Sequence, residues 1–309
     1  MLKLVIAKNM EIIPDHFKEA GMPILFPIGT AGKPLDDGAA FQKDGTLTEV
    51  IRIRTGDIPG EVIDTRDIGF CGRDWVEEAK LSDNLRIDWE PRQDTRADLV
   101  VLDAFIYGRK SNKRPQLQFL ARDDNPANSI RDLEPDVVLG EQRFLIKKLL
   151  EENGWDGRVV IKGENGAPKN PKEFRAFCRE HGFMGIRIVH GGIGPLVKTN
   201  AGYGAMVSEN GYTRDDYRLK VMSWIADADT LLIADPEALR NSQKGPEIMR
   251  MHTALREAYY RVYRETEAPS LNPEQMALHS AVEGGQYRSN GTGAYESRVS
   301  PHPGSPERG

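Results

Sequence analysis

Two arginines separated by one residue, Arg52 and Arg54, are the side chains whose type and spacing point most directly to chemistry. Ile51 and Ile53 alternate with them, which is the period-two pattern of a β-strand, so both guanidinium groups leave one strand near its end. Asp57 then suits a helix N-cap, and the free N–H groups of a helix N-terminus attract anions. The sequence therefore predicts an anion site here, for phosphate above all.

Neighbouring elements bring further cations to strand ends. Pro59 suits the first helical turn, where the missing N–H of proline costs nothing. The apolar run at 68–71 predicts a buried strand, and Arg73 follows it. Residues 2–7 predict the first strand, and Lys8 stands at its end. Lys8 has two interpretations, a phosphate ligand or a solvated loop lysine.

Bulk properties exclude several classes of protein. The 309 residues predict one or two domains, and 39% hydrophobic with 29% charged residues is typical of a soluble globular protein. The net charge of −5 and the pI near 5.8 disfavour nucleic-acid binding. No apolar run has the length of a membrane span or a signal peptide, so we expect a cytoplasmic protein without a membrane partner. Cys71 and Cys178 are expected to be separate buried thiols.

The stretch around the two arginines also resembles a known family. Arg52 and Arg54 are followed by Asp57-Ile58-Pro59 and then by Asp67-Ile68-Gly69-Phe70-Cys71-Gly72. This order is similar to the first domain of the ATP phosphoribosyltransferases, which open histidine biosynthesis. There an arginine-rich strand precedes Asp-Ile-Pro and an Asp-Leu-Gly-Ile-x-Gly strand. The resemblance is strongest at 50–78 and 217–240 and is that of a divergent member.

The resemblance implies an α/β, two-lobed, periplasmic-binding-protein-like (type II) fold with a ligand cleft between the lobes. We expect lobe I from 1–107 and 205–265, and lobe II from 108–204. Residues 266–309 are rich in Pro, Gly and Ser without periodicity, so they are expected to form a disordered tail. Ligands of such folds bind at the carboxyl ends of the strands, where the arginines and Lys8 are expected to converge.

A second ligand segment is implied at 208–214. The family's loop for the 5′-phosphate of phosphoribosyl pyrophosphate resembles Asp-x-Val-x-Thr-Gly-x-Thr-Leu. Gly211 and Thr213 match it, whereas Asn210 and Arg214 replace the first Thr and the Leu, and Met206 stands where the acidic residue would be. The substrate-binding residues so expected are Lys8, Arg52, Asp57, Arg73, Ser208, Asn210, Gly211, Tyr212, Thr213 and Arg214.

Two roles in this segment follow from the same resemblance. Glu209 is expected to take over the work of the missing acid on the ribose hydroxyls. Ser208 or Asn210 is expected to donate to phosphate. A change of ligand at this site is the other interpretation of the same substitutions.

Three functions remain open from the sequence. The first is an enzyme that transfers a phosphoribosyl group to a nitrogen heterocycle, with Mg²⁺ on the pyrophosphate and with Arg54 and Glu209 as catalytic residues. The second is a non-catalytic two-lobed binding protein for a phosphorylated or acidic metabolite, which Met206 favours. The third is an interaction or regulatory subunit that acts through a long helix at 246–265 and the tail. A small phosphorylated substrate and a homodimer are family-level expectations.

Three further segments carry weaker signals. Residues 29–34 loosely resemble a phosphate loop, but a surface loop or small hairpin is favoured because the Gly-Lys-Ser/Thr ending is absent. The glycine-rich turn at 191–195 suits either a phosphate or a plain crossover. The basic loop at 109–114 suits either solvent or a polyanionic ligand.

Overall fold

Two β-sheets, each with its own hydrophobic core, organise the chain. The computed structural model describes residues 1–8, 10–41, 47–89, 96–106, 115–209 and 212–263. All of these belong to one compact unit, Met1–Ala268. We call the eight-stranded sheet and its helices lobe I, and the six-stranded sheet and its helices lobe II. Strands and α-helices are numbered in chain order.

The lobe I sheet has the order β2-β3-β4-β1-β5-β14-β7-β6. Its strands are β1 Leu2–Ala7, β2 Ile24–Leu25, β3 Asp37–Phe41, β4 Leu47–Ile53, β5 Ile68–Gly72, β6 Ile87–Asp88, β7 Leu99–Phe105 and β14 Thr230–Ala234. Strands β4, β1, β5, β7 and β6 run in one direction, and β14 lies antiparallel between β5 and β7. The central strands are apolar runs because helices cover both faces of a parallel sheet.

The lobe II sheet has the order β10-β11-β9-β12-β8-β13. Its strands are β8 Gln116–Arg122, β9 Val137–Gly140, β10 Val159–Ile161, β11 Met184–Ile188, β12 Gly204–Glu209 and β13 Leu219–Asp227. Strands β9 to β12 are parallel, whereas β8 runs antiparallel to both β12 and β13. The chain therefore passes between the lobes twice, from β7 to β8 and from β13 to β14.

Helices complete both lobes. They are α1 Ile12–Glu19, α2 Ile58–Asp64, α3 Arg73–Ser82, α4 Arg143–Leu150, α5 Pro171–His181, α6 Ile193–Thr199, α7 Tyr212–Tyr217, α8 Pro236–Arg240 and α9 Lys244–Tyr263. Helix α5 has the bounds that its sequence predicts, because Asn170 caps its first turn, Pro171 begins it and Gly182 follows it at a positive φ of 74°. Helix α9 buries Ile248, Met251 and Leu255 in the core of lobe I. Val262, seven residues after Leu255 and therefore on the same face of the helix, is exposed.

The return to lobe I comes later than the sequence suggests. Strands β12 and β13 were expected in lobe I from residue 205, but they pair with β9 and β8 of lobe II. The crossing therefore lies at residues 228–229. Alternating hydrophobicity predicts a strand but does not say which sheet the strand joins, and this ambiguity explains the difference.

Other local predictions can be compared directly. Cys71 and Cys178 are free and buried, as expected. The 29–34 segment lies in a loop before the β3–β4 hairpin, with an isolated bridge between Ile28 and Pro34. Helix α6, after the glycine-rich turn, was not expected. The predicted basic loop at 109–114 and the predicted tail at 266–309 lie outside the described residues.

Candidate functional site

The carboxyl ends of the parallel strands of the two lobes meet beside the crossing points. Asp74 follows β5 in lobe I, Gln142 follows β9 in lobe II, and Ser208 lies near the end of β12. The Gln142 side-chain amide donates to Asp74 Oδ2 across 2.7 Å, and the nearby Ser208 hydroxyl lowers the pKa of the same carboxyl group. We call Asp74, Gln142 and Ser208 the interlobe cluster.

Asp74 is the titratable centre of the interlobe cluster. Its side chain is buried, and burial raises its pKa from 3.8 to about 6. The negative charge of Glu141 also raises it, whereas backbone N–H donors and Ser208 lower it. Burial, and secondarily the charge of Asp74, raise the pKa of the Cys71 thiol. A buried carboxyl group that titrates close to neutrality at strand ends is a candidate functional group.

Glu78, one turn further along α3, makes the second contact between the lobes. Its Oε1 and Oε2 accept from the Phe144 N–H at 3.0 and 3.1 Å, and Oε2 accepts from the Leu145 N–H at 2.9 Å. These are free N–H groups of the first turn of α4, whose own N-cap, Gln142, gives no side-chain cap. Burial raises the pKa of Glu78, and the backbone donors oppose that rise. A carboxylate of lobe I thus caps a helix of lobe II.

We expect Glu78→Ala to lower the free energy of unfolding by about 2 kcal/mol, because the α4 donors lose their cap within a buried contact. Urea denaturation near neutral pH measures this change. Glu77→Ala is the matched control, since Glu77 is adjacent and its side chain contacts, among the described residues, only Lys80 in a 4.0 Å ion pair. An equal loss in both variants would contradict the capping role.

Lys8 and Arg52 come together at the ends of β1 and β4, but an internal carboxylate already holds them. Lys8 pairs with Asp36, and Arg52 Nη2 lies 3.6 Å from Asp36 Oδ1. Arg52 also donates to the Leu35 carbonyl at 2.6 Å and stacks over the Phe26 ring at 4.0 Å. Both side chains that were predicted to bind an anion therefore hold the segment before β3 against the ends of β1 and β4.

Without the Asp36 carboxylate, we expect Lys8 and Arg52 to become available to bind anions from solution. We expect Asp36→Asn to bind inorganic pyrophosphate about fivefold more tightly, by roughly 1 kcal/mol, because Lys8 and Arg52 lose their internal counter-charge. Isothermal titration at low salt measures the affinity, and added salt should reduce the gain.

Asp124→Asn is the control for that change. Asp124 forms an exposed pair with Arg122 at the end of β8, and β8 runs antiparallel to β12, so this pair lies at the sheet edge away from the cleft. An equal gain in pyrophosphate affinity in Asp124→Asn would show that the gain comes from the change in net charge alone, which would contradict the role of Asp36.

The other two arginines of the predicted site differ in their contacts. Arg73 begins α3, lies 3.5 Å from Asp229 Oδ2 and stacks over the Trp89 ring at 4.9 Å. Arg54 directly follows β4 and is exposed, and its guanidinium makes no hydrogen bond or ion pair with any described residue. Arg54 is therefore the predicted cation that the fold leaves available.

The predicted cap at α2 is not formed. Asp57 lies at the N-cap position, but its side chain accepts no capping hydrogen bond, while Pro59 does lie in the first turn. Asp57 instead borders a cavity of about 310 Å³ between α2 and α3 that is also lined by carboxylates of Glu61, Asp64 and Asp83. This acidic environment disfavours an anion beside Asp57.

The described parts of the 208–214 segment belong to a strand and a helix. Glu209 ends β12 and Tyr212 begins α7, and only their backbone positions are described. Asn210 and Gly211 lie outside the described residues. Arg214 pairs with its neighbour Asp215 at 2.7 Å, and Thr213 is half-buried.

Met206, which replaces the acid of the resembled loop, faces the core of lobe II. Its side chain is 1% exposed and packs in the cluster that includes Phe119 and Ile146. An acid at this position would be buried among apolar side chains, so the side chain at 206 has no access to a ligand.

Sequence reasoning missed Asp74, Gln142 and Asp36, although it named Ser208 as a substrate-binding residue. Asp74 and Glu78 stand four residues apart, which places both on one side of α3 and was the one available signal. Their partners lie 68 and 66 residues away, and no local pattern predicts such contacts.

The described part of the chain has neither a membrane-spanning helix nor a metal-binding cluster of side chains. No helix in it has the length and apolar character to cross a membrane. No group of three or more His, Cys, Asp or Glu side chains in it is arranged to hold a metal ion.

Comparison with known proteins identifies the architecture. No protein-family model matches the sequence, and no curated protein matches it. The ATP phosphoribosyl transferase (HisG:HisZ) complex from Thermotoga maritima gives a solved structure that is 16% identical, covers 84% of this chain and 100% of that chain, and has a TM-score of 0.54. The fold is that of the type II periplasmic-binding proteins.

Two further solved structures are similar to this chain. XAC2383 from Xanthomonas citri bound to ATP is 9% identical, with 92% of this chain and 97% of that chain covered and a TM-score of 0.50. The periplasmic aliphatic sulphonate binding protein SsuA from Escherichia coli is 11% identical, with 92% and 78% covered and a TM-score of 0.46. Likeness at such identities concerns the fold alone, which serves transferases and binding proteins alike.

Proposed function

We propose that this chain is a phosphoribosyltransferase-like enzyme that transfers the phosphoribosyl group of phosphoribosyl pyrophosphate to a nitrogen heterocycle. The observation that carries the proposal is the interlobe cluster. It joins Asp74, the residue after Arg73 in lobe I, to Gln142 of lobe II, and the Ser208 hydroxyl of lobe II lowers the pKa of Asp74. This proximity of two segments that the sequence analysis assigns to one ligand supports the proposal.

The proposed chemistry needs mainly positioning and charge. The bond from the ribose C1 to the pyrophosphate oxygen breaks and the electron pair leaves with pyrophosphate, while a nitrogen lone pair of the acceptor forms the new bond at C1. Arg54 is proposed to stabilise the leaving group, and Glu209 to contact the ribose hydroxyls. Mg²⁺ is proposed to arrive on the pyrophosphate, whose oxygens suit this ion.

Isothermal titration with phosphoribosyl pyrophosphate and Mg²⁺, beside ATP and ribose 5-phosphate, tests the proposal. We expect micromolar binding of the pyrophosphate donor that weakens at least tenfold, about 1.4 kcal/mol, in Arg54→Gln. Arg250→Gln is the matched control, because Arg250 is also exposed and lies on α9 outside the predicted site. No binding at millimolar donor would overturn the proposal.

A non-catalytic binding protein for a phosphorylated metabolite is the second candidate. Met206 favours this candidate. The resembled loop has an acidic residue at that position, whereas this chain has a buried methionine, so the position offers no carboxylate for catalysis. Release of pyrophosphate distinguishes the two candidates. Binding of the donor without pyrophosphate release, across a panel of heterocycle acceptors, would support the binding protein and contradict the enzyme.

Assembly and location are also proposed here. The chain is proposed to form a homodimer in the cytoplasm, and its fold likeness to a chain from a solved complex supports association with a partner. Light scattering after size-exclusion chromatography of the full chain measures the mass in solution. A monomer at all concentrations tested would contradict the dimer.

A further inference from the structure

We propose that the contact between α3 and α4 is a pH-sensitive latch, which holds the two lobes together without a ligand and releases them as the pH rises. The latch consists of Asp74 and Glu78 on α3 of lobe I, and of Gln142 and the first turn of α4 in lobe II. This inference goes beyond the proposed function, because it concerns how the lobes open and holds for a transferase and for a binding protein alike.

The first step is the set of hydrogen bonds that joins the lobes. The Gln142 amide donates to Asp74 Oδ2 at 2.7 Å. The Glu78 carboxylate accepts from the Phe144 N–H at 3.0 and 3.1 Å and from the Leu145 N–H at 2.9 Å. Asp74 and Glu78 stand four residues apart, so both carboxyl groups lie on one side of α3. The bonds therefore cross from lobe I to lobe II within one turn of a single helix.

The second step is the burial of these groups. Asp74, Glu78 and Gln142 are 6%, 8% and 4% exposed. A buried carboxylate keeps its hydrogen bonds but loses its hydration, so ionisation makes the contact less stable. When the lobes separate, water replaces the lost partners of both carboxylates. The ionised contact is therefore the form that opens more readily, and the protonated contact is the form that stays closed.

The third step is the titration of the two carboxyl groups. Burial raises the pKa of Asp74 from 3.8 to about 6, the negative charge of Glu141 raises it too, and backbone N–H groups and Ser208 oppose the rise. Burial also raises the pKa of Glu78, against its backbone donors and the charge of Arg143. Both groups therefore lose their protons more readily when the lobes are apart, and deprotonation favours the open form.

The other charged and titratable neighbours of the latch do not reverse this response. Two arginines beside it have carboxylate partners of their own, which are Asp229 for Arg73 at 3.5 Å and Glu164 for Arg143 at 2.8 Å. Burial, and secondarily the charge of Asp74, raise the pKa of the Cys71 thiol on β5, so this thiol stays neutral. The pH response of the latch therefore comes from its own two carboxyl groups.

The response has a direction and an upper limit. The latch is strongest below about pH 4, where Asp74 is protonated whether the lobes are together or apart. It weakens as the pH rises through about 6, and a difference of about two pH units for Asp74 changes the ratio of open to closed chains by up to about a hundredfold. About tenfold of this change falls between about pH 5 and about pH 8.

Pulsed electron double resonance of the full chain without ligand measures the opening. Spin labels are placed at Lys18→Cys on α1 of lobe I and at Lys172→Cys on α5 of lobe II, two positions that are exposed. The native Cys71 and Cys178 are buried and are not expected to take the label. In the otherwise wild-type chain, we expect the ratio of the open to the closed distance to rise about tenfold from about pH 5 to about pH 8.

Variants separate the latch from a contact that only stabilises the fold. Asp74→Asn should remove most of this rise, because a neutral amide oxygen still accepts from Gln142 without the cost of a buried charge. Gln142→Leu should raise the ratio at both pH values, since it leaves Asp74 without its donor from lobe II. Glu77→Gln is the control, because Glu77 lies on the same helix and pairs with Lys80, and it should keep the wild-type response.

Two outcomes would overturn the latch. One is a wild-type ratio that does not change between about pH 5 and about pH 8. The other is an equal rise in Asp74→Asn, and circular dichroism at both pH values establishes that this variant is folded. Either result leaves the proposed function standing, because donor binding is measured separately by titration.

Discussion

Asp136→Ala is expected to lower the free energy of unfolding by about 3 kcal/mol, because it leaves arginines of α5 without their shared carboxylate. Asp136 is 2% exposed. Arg175 meets it through two bonds of 2.8 and 2.9 Å, and Arg179 adds a bond of 2.6 Å. The carboxylate precedes β9 and fastens α5 to the lobe II sheet. Urea denaturation near neutral pH measures the loss.

A second change probes the same ion cluster without removing a charge. A Cβ on Gly202 would lie 1.9 Å from Asp136 Oδ2, so Gly202→Ala must displace the carboxylate or the backbone. We expect a comparable loss of stability, about 2 kcal/mol. Asp124→Ala, which breaks an exposed pair with Arg122, is the control and should cost less than about 1 kcal/mol. A similarly small loss in Asp136→Ala would refute the account.

Asp74→Asn is expected to have the opposite effect and to raise the free energy of unfolding at about pH 8 by about 2 kcal/mol. The pKa of Asp74 is about 6 in the folded chain against 3.8 as its ordinary value. At roughly 1.4 kcal/mol for each pH unit of difference, the ionised carboxylate costs at most about 3 kcal/mol. Loss of hydrogen bonds to a charged acceptor reduces the gain from asparagine.

The pH dependence of this gain gives the sharper measurement. A carboxyl group with a raised folded pKa destabilises the fold fully above that pKa, and this cost disappears as the pH falls below the unfolded value. The difference between wild type and Asp74→Asn should therefore shrink from about pH 7 towards pH 4. Glu77→Gln, a half-exposed change on the same helix, should show no such trend. A variant less stable than wild type at alkaline pH would show that the charge stabilises the fold.

Local patterns were sufficient for several of the helices and strands. Helix α5 could be bounded because Pro171 and Gly182 mark its ends within the sequence itself. The buried strand β5 was evident from its continuous apolar run. The two-lobed class followed from the resemblance around Arg52, and a solved structure of that fold agrees with it.

Contacts over long sequence distances could not be predicted in this way. Lys8 and Arg52 were correctly placed at strand ends, but their carboxylate partner, Asp36, lies on a segment without periodicity. The raised pKa of Asp74 depends on the burial of its side chain in the folded chain. The membership of β12 and β13 depends on strand pairing, and many pairings satisfy the same alternation of apolar residues.

The late arrival of β14 has a consequence for synthesis on the ribosome. All six strands of lobe II lie within the continuous segment 116–227, so this lobe is able to assemble as soon as that segment has emerged. Lobe I must wait, because β14 occupies the space between β5 and β7 and is made more than a hundred residues after them. Until then the edges of both strands stay unpaired, and an unpaired strand edge is the feature that molecular chaperones protect from aggregation. We therefore expect lobe II to fold before the nascent chain completes the sheet of lobe I.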